Sequence, residues 1–419
     1  MGSSSWSHPQ NIHRSSREGN MNREVSLILA GIGGYGHFYL RHLLAGAEQA
    51  GVRFQAAADP RPSGSPFLDQ LQDRGVEIFP DLTSCLAAHQ ADLVVIAAPI
   101  HFHAELTALS LAHGAHVLCE KPLCATVAEA TAMAQAEAQA DRFVAVGYQW
   151  SFSEAIQALK RDIQEGVLGQ PRRFKTCVLW PRGAAYYARN NWAGRIRSQD
   201  GRWVLDSPAS NATAHYLHNM FYVLGSCRET SAFPAQVEAE LYRANPIENY
   251  DAAAIRCYTE EGVELLFYAA HSVQRREGPF FQFEFEQAVV RYTDGGTIQA
   301  TFADGRQKDY GDPFAHDGNK LWQSVDAVRT GEPVACGIAA ATPHVYAING
   351  AQLSMPDIVT LPDRLYRQDG DVRWVAGLQD VFRAAYQEAC LPAELDSVPW
   401  TRSGRPVTLA EIRQRQIPV

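Results

Sequence analysis

Three groups of residues in this sequence have the types and spacing for chemistry. The first is the run Gly31-Ile32-Gly33-Gly34-Tyr35-Gly36. Gly31 permits a tight turn, Gly33 lets a ligand's phosphates approach the backbone, and Gly36 lets a following helix pack close to the preceding strand. The second is Cys119-Glu120-Lys121-Pro122. A lysine held beside a reacting carbinol can donate to the hydroxyl oxygen and stabilise an alkoxide-like transition state. The third is Asn211 with His215, spaced i, i+4 on a helix expected over residues 211–224 and stopped by Gly225, with His218 one turn beyond. Upstream of it, residues 180–206 hold Trp180, Arg182, Tyr186, Tyr187, Arg189, Asn190, Asn191, Trp192 and Arg195. Aromatic faces and polar forks of this kind suit a polyhydroxylated ring, or else an oligomer contact.

The elements that must position these groups are legible in the pattern. An apolar run over 25–30 enters the glycine loop, and helical spacing follows it. Strand, glycine turn and helix are the context a dinucleotide pyrophosphate requires, with backbone N–H groups at the helix start to receive it. Further strands are expected over 52–58, 76–79, 92–98, 116–119 and 142–147, separated by amphipathic stretches. This alternation predicts a parallel doubly wound Rossmann sheet with ligands at the carboxyl ends of its strands. Lys121 then falls at one strand end, and Ala98, Pro99 and His103 follow another, where a cofactor's nicotinamide ribose would pass. Asp59 closes the second strand, 23 positions after Gly36. An acidic side chain there accepts from adenosine ribose hydroxyls and repels a 2′-phosphate, which favours NAD over NADP. Arg61 argues the other way, and Asp59 is also a plausible turn residue before Pro60.

Beyond residue 169 long alternating segments are expected as strands over 172–180, 235–243, 252–258, 263–271, 280–292 and 297–302, forming a mostly antiparallel open sheet. Helices are expected over 319–330 and 339–354, returning to the first domain. The division expected is 1–20 leader, 21–150 dinucleotide-binding domain and 151–419 substrate-binding and oligomerisation domain of α+β type. Trp6-Ser7-His8-Pro9-Gln10 resembles part of a streptavidin-affinity tag, so Met21 is taken as the native start.

Composition bounds the rest. A net charge of −9 without a long basic run speaks against nucleic acid, and the chain shows neither a transmembrane run nor a signal peptide. Eight scattered cysteines without zinc spacing read as reduced thiols of a cytoplasmic protein, and no metal is expected.

The order of GIGGYG, Asp59-Pro60, DLVVIAAP with its following histidine, Glu120-Lys121-Pro122 and Val146-Gly147-Tyr148-Gln149 resembles the glucose-fructose oxidoreductase / inositol dehydrogenase / MocA family. That resemblance implies a catalytic role for Lys121 and adds Glu120 and Gln149 to the cofactor contacts. Counted back from Gly225, His215 takes the position of the family's acid/base histidine. Asn211 and His218 stand where the family carries aspartates. With Lys121, Trp180, Arg182, Trp192 and Arg195, these residues would line the substrate site. The resemblance implies an NAD-dependent oxidoreductase acting on a ring hydroxyl of a sugar, cyclitol or glycoside, assembled as a homo-dimer or homo-tetramer through the open sheet. Two alternatives stay open: an enzyme that oxidises only transiently while eliminating a glycosidic group, and a dinucleotide-gated sensor.

Overall fold

The computed structural model describes residues 23–396 and 398–415; the expected leader and Met21 lie outside the described residues. The first sheet contains β1 (Val25–Ala30), β2 (Val52–Ala58), β3 (Glu77–Phe79), β4 (Leu93–Ile96), β5 (His116–Cys119) and β6 (Val144–Val146). Its principal helices are α1 (Gly36–Gly46), α2 (His103–Ala112) and α3 (Val127–Ala140). All strands are parallel in the order β3-β2-β1-β4-β5-β6. β1 and β4 are buried along their whole length, because helices cover both faces of such a sheet and leave no polar side. The strand order reverses between β1 and β4. At that switch point the carboxyl ends of neighbouring strands diverge and open a crevice for ligands.

The second sheet follows α4 (Glu154–Gln164) and comprises β7 (Pro171–Leu179), β8 (Pro234–Arg243), β9 (Ala252–Thr259), β10 (Glu264–Ala270), β11 (Glu277–Phe285), β12 (Ala288–Thr293), β13 (Ile298–Phe302), β14 (Gln307–Gly311) and β15 (Val359–Thr360). Their order is β14-β13-β12-β11-β7-β10-β9-β8-β15, with Val407–Thr408 also pairing β8. Most pairs are antiparallel; β7 with β10 and β8 with β15 are parallel. One face packs on α5 (Ala214–Val223) and α7 (Ile338–Ser354), while α6 (Asn319–Thr330) crosses to lie against β1 and β5 of the first sheet.

Four expectations need correction. The single strand expected over 280–292 is a hairpin of β11 and β12. Its exposed turn, Glu286-Gln287, gives its N–H groups to the carbonyls of Gln170 and Leu168, so the chain reverses where two consecutive polar residues would have broken the alternation. β14 carries the largely exposed sequence QKDYG and has no apolar period to reveal it.

The helix expected over 211–224 is interrupted. A π-turn spans Pro208–Ala212, and α5 begins only at Ala214. Thr213 causes the break: its N–H and its hydroxyl both donate to the Pro208 carbonyl, at 2.8 and 2.7 Å. Local Ser/Thr bonding of this kind competes with a regular helix. Finally, the outer face of the second sheet is not open over β7 and β10. Leu378, Phe382 and Ala385 of α8 (Leu378–Glu388) pack there on Cys177, Leu266 and Tyr268. Polar or exposed side chains such as Arg291, Gln299 and Thr301 remain uncovered on β12 and β13.

Candidate active site

The glycine loop is shaped by hard sterics. Gly31 has φ +94°, and a Cβ there would sit 2.6 Å from the Ala97 carbonyl oxygen. A Cβ on Gly36 would sit 2.2 Å from the Gly31 carbonyl oxygen. At Gly33 the only neighbour is an Asp59 oxygen at 4.0 Å, and Gly34 (φ +51°) faces open space within 4 Å. The first and last glycines are therefore required by close packing, and the two middle ones leave a concave backbone surface at the start of α1. That is the form a pyrophosphate cradle needs. Half-buried Asp59 closes one side of it: its carboxylate accepts from the N–H of Ile32 at 2.9 Å and of Arg61 at 2.8 Å. Arg61 itself is exposed, and Tyr35 is 41% exposed on the outer lip. These residues fit a dinucleotide.

His103 is the clamp between two strand ends. It is buried, with Nδ1 2.8 Å from the Pro122 carbonyl oxygen and Nε2 3.0 Å from that of Ala98. Burial lowers its pKa, so the ring is neutral and donates through one nitrogen. It hydrogen-bonds one of the two turns and packs against the other, the half-buried Ala98-Pro99 turn after β4 and the Lys121-Pro122 turn after β5, whose peptide bond is cis. Gln149 is half-buried at the start of the short helical turn Gln149–Phe152.

Glu120 differs from the expectation of a cofactor contact. It is 4% exposed and fully engaged inside the protein: Tyr39 donates to it at 2.6 Å, Lys320 of α6 pairs with it, and the Lys121 N–H donates at 3.1 Å. Lys320 is itself completely buried and also donates to the Tyr35 hydroxyl at 3.1 Å. A buried ammonium needs such a carboxylate partner.

Lys121 reaches from the end of β5 to the π-turn. Its Nζ donates to the Asn211 carbonyl oxygen at 2.8 Å and to Asn211 Oδ1 at 3.0 Å. Burial is the main cause that lowers its pKa to about 8; the Glu120 carboxylate opposes this, and Lys320 reinforces it. The side-chain nitrogen of Asn211 donates to Asp206 at 2.7 Å. Asp206 is 2% exposed, accepts from the Gly194 N–H at 2.6 Å and lies 3.7 Å from the Arg189 guanidinium. Burial raises its pKa, which Arg189 and these hydrogen bonds counteract. The i, i+4 spacing of Asn211 and His215 predicts that they share a helix face, but Asn211 does not lie on that of α5. Instead it links Lys121 to Asp206, because the π-turn takes it off the face of α5.

His215 is half-buried on the first turn of α5, and its Nδ1 is shut off from water without a partner. Its ring lies 5.9 Å from that of Tyr148. Burial, then the Lys121 charge, hold its pKa well below the ordinary value, so it is a neutral base. His218, expected on the substrate, is turned into the core instead. It is fully buried, stacked on Tyr148 at 3.8 Å, and 2.9 Å from the Ser151 hydroxyl. One helical turn past a cleft-facing residue on so apolar a helix, the core claims the ring.

Of the loop residues, Trp180 donates its indole N–H to the Gly278 carbonyl at 2.8 Å and lies half-buried beside Tyr216. Trp192 is half-buried near Arg189. Arg195 is taken up by Glu248 at 3.0 Å, which removes it from the set of free forks. Arg182 stands near Tyr186 and has no acidic partner among the described residues. The residue sequence reasoning missed is Asp206. Its only advance signal was an acid immediately ahead of Ser207-Pro208, a helix-start pair.

Residues 25–148 match a family profile described as oxidoreductase family, NAD-binding Rossmann fold. Over 150 residues the chain is 30% identical to the rhizopine catabolism protein MocA of Rhizobium meliloti, covering 36% of this chain and 46% of that protein. Over 206 residues it is 30% identical to the inositol 2-dehydrogenase of Burkholderia multivorans, covering 49% and 55%. The chain thus spans about half the length of the curated relatives it matches. Among solved structures, the WlbA dehydrogenase from Bordetella pertussis, in complex with NADH and UDP-GlcNAcA, superposes with a TM-score of 0.65 at 19% identity over 80% of this chain and 97% of that one.

Proposed function

Because this chain belongs to the Gfo/Idh/MocA family of oxidoreductases, we propose that it is an NAD-dependent dehydrogenase acting on a ring hydroxyl of a sugar, cyclitol or glycoside. The observation that carries this reading is the placement of Lys121. It sits at the carboxyl end of β5, beside the dinucleotide crevice, with its ammonium held by Asn211 and with His215 as a neutral base in its electrostatic field.

The glycine loop would hold the pyrophosphate, and Asp59 the adenosine ribose. When bound, NAD supplies the hydride acceptor. The chain's own residues manage the proton. Protonated Lys121 donates a hydrogen bond to the substrate oxygen, where negative charge grows as the hydroxyl proton leaves and is discharged into the carbonyl bond as hydride departs from the carbon. His215 takes the hydroxyl proton. Trp180 and Trp192 offer faces to the C–H side of a ring. Assembly as a homo-dimer or homo-tetramer belongs to the same reading, with the uncovered end of the second sheet as the available face.

The test is a turnover assay with NAD and a panel of sugars, cyclitols and glycosides, following NADH absorbance and product together. NADH formed in step with a ketone supports the proposal. Cleavage product without net NADH identifies transient oxidation, and NAD binding without turnover identifies a sensor.

A further inference from the structure

Arg182 is an arginine without an anion. Its Nε is shut off from solvent and has no hydrogen-bond partner, and no carboxylate lies within ion-pair distance among the described residues. Its place is fixed nonetheless. The Arg182 N–H donates to the His271 carbonyl at 3.1 Å, and its guanidinium stands 4.9 Å from the Tyr186 ring and 5.8 Å from that of Trp180. Partial loss of water without a counter-charge is unfavourable for a cation unless an anion arrives from outside the chain.

Its surroundings repeat the signal. Tyr186 also carries Arg189, whose guanidinium stands 3.7 Å from the ring. Arg189 lies 3.7 Å from Asp206, which in turn accepts from Asn211, the residue that holds Lys121. A continuous chain of contacts therefore runs from Arg182 to the lysine at the proposed reaction centre. Arg189 and Asp206 cancel. Lys121 is held by a neutral amide and has its own task at the reacting oxygen. Arg182 alone of these cations has neither an ion-pair partner nor a side-chain hydrogen bond among the described residues. The nearby Tyr187 hydroxyl and His271 Nε2 are also buried without partners. Three polar atoms around the Tyr186 ring thus lack a partner within the chain.

We propose that the substrate carries a carboxylate, as a sugar acid does, and that Arg182 receives it. A planar guanidinium fork matches a carboxylate with two parallel hydrogen bonds. One unpaired guanidinium fork matches a monoanion better than a phosphate dianion. The inference rests on the reading of this site as a carbohydrate dehydrogenase and narrows its substrate class.

The test uses the full chain with saturating NAD and matched probes: glucose against glucuronate, galactose against galacturonate, with glucose 6-phosphate as the phosphate probe. Rates are followed by NADH absorbance, and binding to the NAD-loaded protein by calorimetry. The expected result is a kcat/KM at least about thirtyfold higher for each acid than for its neutral sugar, the scale of a charge-assisted pair. Arg182→Ala should remove most of that preference through KM. Arg182→Lys, which keeps the charge without the fork, should retain part of it and guards against a misfolded alanine variant. Neutral sugars used as well as their acids, or glucose 6-phosphate preferred to both, would overturn the inference and leave the dehydrogenase reading standing. No turnover and no acid binding by a protein that binds NAD would remove both.

Discussion

Asp206 supplies, one amide away, the negative charge that Asn211 lacks, and Lys121 is the group that feels it. Replacing Asp206 with Asn keeps the shape and removes the charge. The carboxylate stands beyond the Asn211 side chain, on the order of 6 Å from the ammonium, so at an effective dielectric near 20 the interaction is about 3 kcal/mol, or roughly two pH units, at most. Arg189, paired with Asp206, acts on Lys121 in the opposite sense and offsets part of this, so the realised change is smaller, about one unit. Burial lowers the Lys121 pKa to about 8, and in the proposed reaction it acts in its protonated form. Activity should therefore be lost as pH rises through that value. Asp206→Asn should bring this alkaline limb of kcat/KM down by about one unit. Asn211→Asp places a carboxylate directly on the ammonium and should move the limb upward. The assay is initial-rate NADH formation at saturating NAD from about pH 6 to about pH 10, a span that brackets the alkaline limb. An alkaline limb that stays in place in both variants, or that falls in Asn211→Asp, would refute the coupling through Asn211.

Lys121→Ala should lower turnover by at least about a hundredfold while calorimetric NAD affinity stays nearly intact, the scale of losing one preorganised donor. Asp59→Ala should narrow the preference for NAD over NADP, and equal affinities in the unmutated protein would transfer that role to Arg61. His215→Ala should lose turnover severely, and the unmutated enzyme should show no acidic limb from this histidine near its ordinary pKa, because burial keeps it neutral to lower pH. His218→Ala should instead appear as a loss of thermal stability with the pH profile unchanged. Lys320→Ala leaves Glu120 buried without its counter-ion and should cost about 3–5 kcal/mol in denaturant unfolding.

The parallel sheet and its glycine loop were legible because their constraints are local and steric. β1 and β4 must be apolar throughout, and Gly31 and Gly36 have no room for a side chain. The position of Lys121 at a strand end was legible for the same reason. The partners of these residues were not. Lys121 meets Asn211 across 90 positions and Glu120 meets Lys320 across 200, separations that no periodicity encodes. The i, i+4 argument for Asn211 and His215 failed at Thr213, where one side-chain bond to Pro208 reset the helix. His218 misled because helical spacing fixes a residue's direction only once the helix's own start is known.

Those distant contacts also bind cofactor loop and reaction centre into one electrostatic unit. Lys320, from a helix late in the chain, touches Tyr35 of the glycine loop and Glu120 beside Lys121. Glu120 is shared by two lysines, one buried and one half-buried: it neutralises Lys320 and raises the pKa of Lys121 against desolvation. Gly147 has to be glycine for this arrangement, since a Cβ there would lie 2.6 Å from a Glu120 oxygen. A carboxylate at position 211 would have served Lys121 alone. With Asn211 there, the Lys121 ammonium depends on two acids that it does not itself hydrogen-bond, Glu120 on one side and Asp206 on the other. Its protonation at neutral pH is therefore set by α6 and by the 180–206 loop together, so a change in either segment should be felt at the reacting oxygen without any contact to substrate.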